Sequence, residues 1–130
     1  MQEVVSLLKE EHIKMKEMFL EIERFINGGS SVDYRKFGHH FKRLDEIWEN
    51  HEKREDALIK EYAKKNNLIP EKSLSEKHRQ LRGYWNSIRR ALDAKDCEKL
   101  AMVLDTDGRM LLERFAFCID SEEKFFEGIN

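Results

Sequence analysis

Apolar and polar positions alternate by threes and fours along almost the whole chain, the period of helices that turn one face inward. Turn signals at Asn27-Gly28-Gly29-Ser30-Ser31, from Asn66-Asn67 to Pro70, and between Asp93 and Asp96 interrupt the pattern. The spacing predicts helices over about 3–27, 32–65, 73–94 and 97–127. Asp33 or Ser31 is placed to cap the second helix, and Ser73-x-x-Glu76 reads as a capping box opening the third. The first inward stripe is Val5, Leu8, His12, Met15, Phe19, Ile22 and Ile26. The second is Phe37, Phe41, Leu44, Trp48, His51, Glu55, Leu58 and Tyr62. The third is Leu74, His78, Leu81, Trp85, Ile88 and Leu92, and the fourth Leu104, Gly108, Leu111, Phe115, Cys118, Glu122 and Phe125. Short connections force neighbouring helices to run antiparallel. The expected architecture is all-α, a single up-down-up-down four-helix bundle over residues 1–130.

Composition narrows the functional classes. Hydrophobic residues make up 40% and charged residues 38% of the chain, with eight Phe, three Tyr and two Trp, too apolar for a disordered polymer. One Pro and six Gly are too few for the many turns of an all-β fold. The longest apolar runs, such as Leu100 to Leu104, fall far short of the roughly 18 residues of a membrane span, and no leader pattern opens the chain. Basic and acidic residues nearly balance at 24 against 26, without like-charge blocks, so the footprint of a nucleic-acid binder is missing. Cys97 and Cys118 on one helix would stand roughly 30 Å apart, too far to bridge. Two free thiols suit a reducing, cytoplasmic setting.

The seams contain residues that a bundle core excludes: His12, His51, Glu55, His78 and Glu122. Burying an unpaired carboxylate costs several kcal/mol, and a bound metal ion would supply the missing partner. His51 and Glu55 lie four residues apart, about 40° around the axis and about 6 Å along it, so both can aim at one point. Cys118 and Glu122 repeat that spacing. Heights agree as well, since two residues of an antiparallel pair are level when their midpoint falls in the connection. The midpoint of His12 and His51 lies in the Gly-Gly-Ser-Ser turn, and that of Glu55 and His78 at the Asn-Asn break. The midpoint of His78 and Cys118 falls a little beyond the third turn, so the fourth helix fits least well. His39 and His40, roughly 15 Å up the helix from His51, read as solvated or edge residues. Trp48, Trp85 and Tyr62 read as core. Glu52 and Glu123, about 100° off the seams, read as solvated acids, with Glu52 a candidate extra ligand.

The order His12, His51-x-x-x-Glu55, His78 and then a position four residues before Glu122 resembles the hemerythrin-like HHE cation-binding family over essentially the whole chain. His51-Glu52-Lys53-Arg54-Glu55 is similar to that family's second-helix motif, and Cys118-Ile119-Asp120-Ser121-Glu122 to its fourth. The resemblance implies a bundle enclosing a non-haem di-iron site, with His12 and His78 as terminal ligands and Glu55 and Glu122 as bridging carboxylates. Two departures stand out. Cys118 replaces the family's fourth-helix His, and the third helix has Leu74 and Arg82 where oxygen carriers place an additional His. Oxygen storage is therefore disfavoured, and the softer thiolate leaves a mononuclear, mixed or zinc-loaded site open. The expected function is sensing or handling of oxygen, nitric oxide, peroxide or iron, with any signal passed to a protein partner. A di-iron enzyme reducing peroxide or oxygen, and a metal-depleted bundle serving as an interaction module, are the competing readings.

Overall fold

The computed structural model describes residues 2–28, 33–66 and 72–129, with side chains of the last segment from Glu76 onward. Helices α1 (Gln2–Asn27), α2 (Tyr34–Lys65) and α3 (Lys72–Asp93) are followed by α4 (Cys97–Val103), a π-helical turn (Leu104–Gly108) and α5 (Arg109–Glu127). The last three run on without a break as the fourth helix of the bundle, and among the described residues there is no strand. None of the described helices is long and apolar enough to cross a membrane.

Side-chain chemistry explains the helix ends. Asp33 caps α2, its carboxylate accepting from the N–H groups of Arg35 and Lys36 at 3.0 and 3.3 Å, while Ser31 lies outside the described residues. Asp96 does the same for α4, accepting from Glu98 and Lys99. Between α3 and α4 the chain reverses through Lys95, whose φ of 54° is left-handed, with its N–H donated to the Leu92 carbonyl. The third helix is already under way at Lys72, so Ser73 lies inside its first turn rather than capping it.

The four helices alternate in direction, as cross-helix pairs show. His12 meets His51 while Phe25 meets His40, and Asp45 meets Arg89 while Glu52 meets Arg82. His12 meets Glu122 while Phe19 meets Phe115. Every predicted seam residue of α1 is buried. On α2 the stripe holds to Leu58, after which Ala63 takes the inward place and Tyr62 is half-buried. On α3 Leu81, Trp85 and Ile88 are buried, Ala91 replaces Leu92, and the Leu74 side chain lies outside the described residues.

The fourth helix explains its own poor fit. Its buried positions step by four twice in succession, Leu100 to Leu104 to Gly108, which would rotate an α-helix off its seam. The π turn takes in an extra residue there and restores the phase. Thr106 Oγ1 donates to the carbonyls of Met102 and Val103, at 3.2 and 3.3 Å. Gly108 permits close approach: a Cβ there would stand 3.2 Å from Ile26 Cδ1. At the far end Phe126, not the predicted Phe125, completes the core, because the step of four from Cys118 to Glu122 is followed by another. Phe125 is half-buried, edge-on to Tyr62.

Two apolar clusters result. The larger contains Met15, Phe19, Phe41, Trp48, Trp85 and Phe115; the smaller joins Val5, Leu8, Leu58 and Phe126. A polar layer lies between them.

Candidate metal centre

All six residues singled out from the sequence are in that layer. His12 comes from α1, His51 and Glu55 from α2, His78 from α3, and Cys118 and Glu122 from α5, each at most 1% exposed. His12 Nε2 stands 3.2 Å from His51 Nε2 and 2.6 Å from Glu122 Oε2. His51 Nε2 stands 3.1 Å from Glu55 Oε2 and 3.5 Å from Glu122 Oε2. The other carboxylate oxygens face the opposite way. His78 Nε2 is 3.0 Å from Glu55 Oε1 and 2.8 Å from Glu122 Oε1, and Cys118 Sγ is 3.4 Å from the latter. The layer therefore divides in two, with His12 and His51 on one side and His78 and Cys118 on the other. Each carboxylate sends one oxygen to each side.

These separations suit a shared cation. Donors held at about 2.1 Å from a metal stand about 3.0 Å apart in an octahedron and about 3.4 Å apart in a tetrahedron. The four residues His12, His51, Glu55 and Glu122 bring ligand atoms within 4.8 Å of one another, as do His78, Cys118 and Glu122. Both oxygens of Glu55, fully buried and near two imidazoles, are oriented so that neither makes a hydrogen bond. A buried carboxylate close to imidazoles but without an aligned hydrogen bond is expensive. A cation between the nitrogens and oxygens removes that cost, so the donor set fits a metal.

Without a metal, protons take up the positive role. Burial pulls the His51 imidazole down, yet the close carboxylates of Glu122 and Glu55 outweigh that and raise it to about 9. His78 is opposed by burial too, but contacts with Cys118, Glu122 and Glu55 raise it to about 12. Glu122 is held well below the usual carboxylate range: burial disfavours its charge, but the imidazoles of His12, His51 and His78 close around it. Burial raises Glu55, against the pull of His51 and His78. Burial also pushes the Cys118 thiol up to about 12, only partly offset by His78. In the metal-free protein Cys118 is thus a neutral thiol donating toward Glu122, and the thiolate expected from sequence requires a cation beside it.

Behind the inner nitrogens stand acids that lie one step off the predicted seams. Glu11 Oε1 is 3.3 Å from His51 Nδ1, and Arg54 pairs with the other Glu11 oxygen. Glu123 Oε1 is 3.2 Å from His12 Nδ1, so this acid orients a ring instead of being merely solvated. A carboxylate behind an imidazole fixes its tautomer and raises its basicity toward a metal. The signal for both in the sequence is an acid directly beside a seam residue. Glu52 turns away from the inner layer to pair with Arg82. His39 is exposed and His40 half-buried, apart from the layer, and both cysteines are free. Apolar rings enclose the layer, with Trp48 edge-on to His78 at 5.6 Å and Phe126 stacked on His12 at 5.7 Å.

The sequence matches the hemerythrin HHE cation-binding domain family over residues 3–124. No curated protein and no solved structure matches it significantly.

Proposed function

The chain belongs to the hemerythrin HHE cation-binding domain family, and from that premise we propose that it holds non-haem iron in the polar layer, in two adjacent positions. The observation that carries this reading is the division of Glu55 and Glu122, each with one oxygen toward His12 and His51 and one toward His78 and Cys118. His12, His51, Glu55, His78, Cys118 and Glu122 are the proposed ligands, with Glu55 and Glu122 shared. The two positions are unequal. The first has two imidazoles, and the second has one imidazole and a thiol that must lose its proton. The first therefore fills more tightly, and softer metals such as zinc compete best at the second.

Iron held by imidazole and carboxylate in a dry pocket supplies reversible one-electron chemistry toward small ligands. The reading is a protein that senses or handles oxygen, nitric oxide, peroxide or iron. Protein partners and a cytoplasmic setting belong to this proposal too. The chain's own residues favour small reactants: Trp48 and Phe126 close over the layer, and Glu11 and Glu123 fix the rings that present the inner nitrogens.

Protein purified anaerobically without an affinity tag should contain one to two iron atoms per chain by elemental analysis. Iron-free protein that takes up no ferrous ion on titration would support an interaction module instead. Stopped-flow mixing of the reduced protein with oxygen or peroxide then separates a sensor, which reacts once and holds its oxidised state, from an enzyme that turns over with added reductant.

A further inference from the structure

The outer nitrogens of the three imidazoles differ. Those of His12 and His51 each face a carboxylate at hydrogen-bonding distance, Glu123 and Glu11 respectively. That of His78, a residue only 1% exposed, has no hydrogen-bond partner and lies 3.7 Å from Asp56 Oδ1. It points out of the layer, toward the seam between α2 and α3.

That seam is lined by charge. Asp45, Glu49, Glu52 and Asp56 follow one another on α2 at helical spacing. Arg89 on α3 takes Asp45 and Glu49, and Arg82 takes Glu52. Among the described residues no lysine or arginine pairs with Asp56, whose side chain is 43% exposed. Glu52, Asp56 and His78 nevertheless bring ligand atoms within 4.8 Å of one another. The stripe thus ends in two acids and an unpartnered buried nitrogen, with one guanidinium as the competing cation.

We propose that Glu52, Asp56 and His78 Nδ1 form an outer site for a divalent cation, held shut by Arg82, which receives the metal before the buried layer does. Two carboxylates and one imidazole are a donor set for a first-row divalent metal, and the half-exposed Asp56 gives solvent access. Arg82 stands where the cation must compete for Glu52, so its half-exposed side chain has to swing away for the site to fill. The same imidazole serves both places, with Nδ1 outward and Nε2 toward Glu55 and Glu122. The inference rests on the buried metal centre proposed above.

The test is the rate at which metal-free full-length protein takes up Co²⁺, followed anaerobically by quenching of Trp48 beside His78. Asp56→Asn should slow uptake roughly fivefold or more, because the outer site loses one of its ligands. Arg82→Gln should speed uptake by a similar factor. Both should reach the wild-type Co²⁺ content at the end. Glu49→Gln removes the same charge further up the stripe and should leave the rate unchanged. Wild-type rates in both Asp56→Asn and Arg82→Gln would overturn the outer site while leaving the buried centre intact. Equal slowing by Glu49→Gln and Asp56→Asn would overturn it as well, in favour of general attraction by the acidic helix. A wild-type chain that binds no Co²⁺ would overturn the buried centre, and the outer site with it.

Discussion

The aromatic half of the bundle and its polar layer are built from the same inward faces of the same helices, a turn or two apart. Phe19, Trp48, Trp85 and Phe115 fill one; His12, His51, His78 and Glu122 fill the other. In the aromatic half the side chains satisfy each other. Phe19 meets Phe115 at 4.0 Å, and Trp48 stacks on Trp85 at 5.4 Å. Among the described residues its one polar orphan is the Trp85 indole N–H, a neutral donor. In the polar layer the orphans are the Glu55 carboxylate and His78 Nδ1, and the neighbours of Glu55 must carry protons or a metal to balance it. One half supplies stability whatever the solution holds. The other contributes in proportion to what binds there.

Four measurements would break that contrast, and a fifth sharpens it. Trp85→Ala should cost about 3–5 kcal/mol by denaturant unfolding, with or without metal, because it opens a cavity in the aromatic half. A loss that changed with metal would show that the two halves are coupled. His51→Ala should remove the metal-dependent part of stability, about 4 kcal/mol at free metal a thousandfold above its Kd. Chelation of the wild-type protein should reproduce that loss, and equal melting with and without chelator would sink the comparison. Glu11→Gln leaves every proposed ligand in place but weakens the support behind His51. Titration should then give metal affinity lower by about ten- to a hundredfold.

The pH dependence should have opposite signs with and without metal. His51, raised to about 9, faces Glu11 and His12 on α1, Glu55 on its own helix and Glu122 on α5. A raised imidazole gives stability that is complete below its unfolded value of 6.5 and lost as pH rises through about 9. The metal-free protein should therefore weaken across that window. Metal must displace the same proton, so affinity should grow over the same range. Melting curves that ran parallel from pH 6.5 to 9 would contradict both signs. The smallest effect on stability belongs to Cys118, a small buried side chain whichever role it has. Cys118→His should raise metal content toward two ions, and Cys118→Ala should change the absorption of the loaded protein. If neither spectrum nor stoichiometry moves, the sulfur only fills space.

Much of this architecture is legible in the residue pattern. The period of three and four marks the buried face over most of each helix, and only toward the ends do Ala63, Ala91 and Phe126 take the inward place from Tyr62, Leu92 and Phe125. Antiparallel connection then sets levels, which is why the midpoint of His12 and His51 is enough to match them across the bundle. His51 and Glu55, four residues apart, point the same way wherever their helix packs.

Residues one step off the seam are different. Glu11, Glu52 and Glu123 all sit about 100° from a seam neighbour, where a long side chain can turn inward or outward. The partner across the gap decides: His51 draws in Glu11, His12 draws in Glu123, and Arg82 draws Glu52 away. The fourth helix behaves the same way along its axis. Nothing local requires a π turn at Leu104–Gly108, but its steps of four must stay against α1 and α3, and the backbone absorbs the drift. The helices, most of their inward faces and the residues that share a level follow from the helical period and short connections alone. How Glu55 and Glu122 divide their oxygens, and which acids stand behind which rings, depends on distances between helices that no single helix contains.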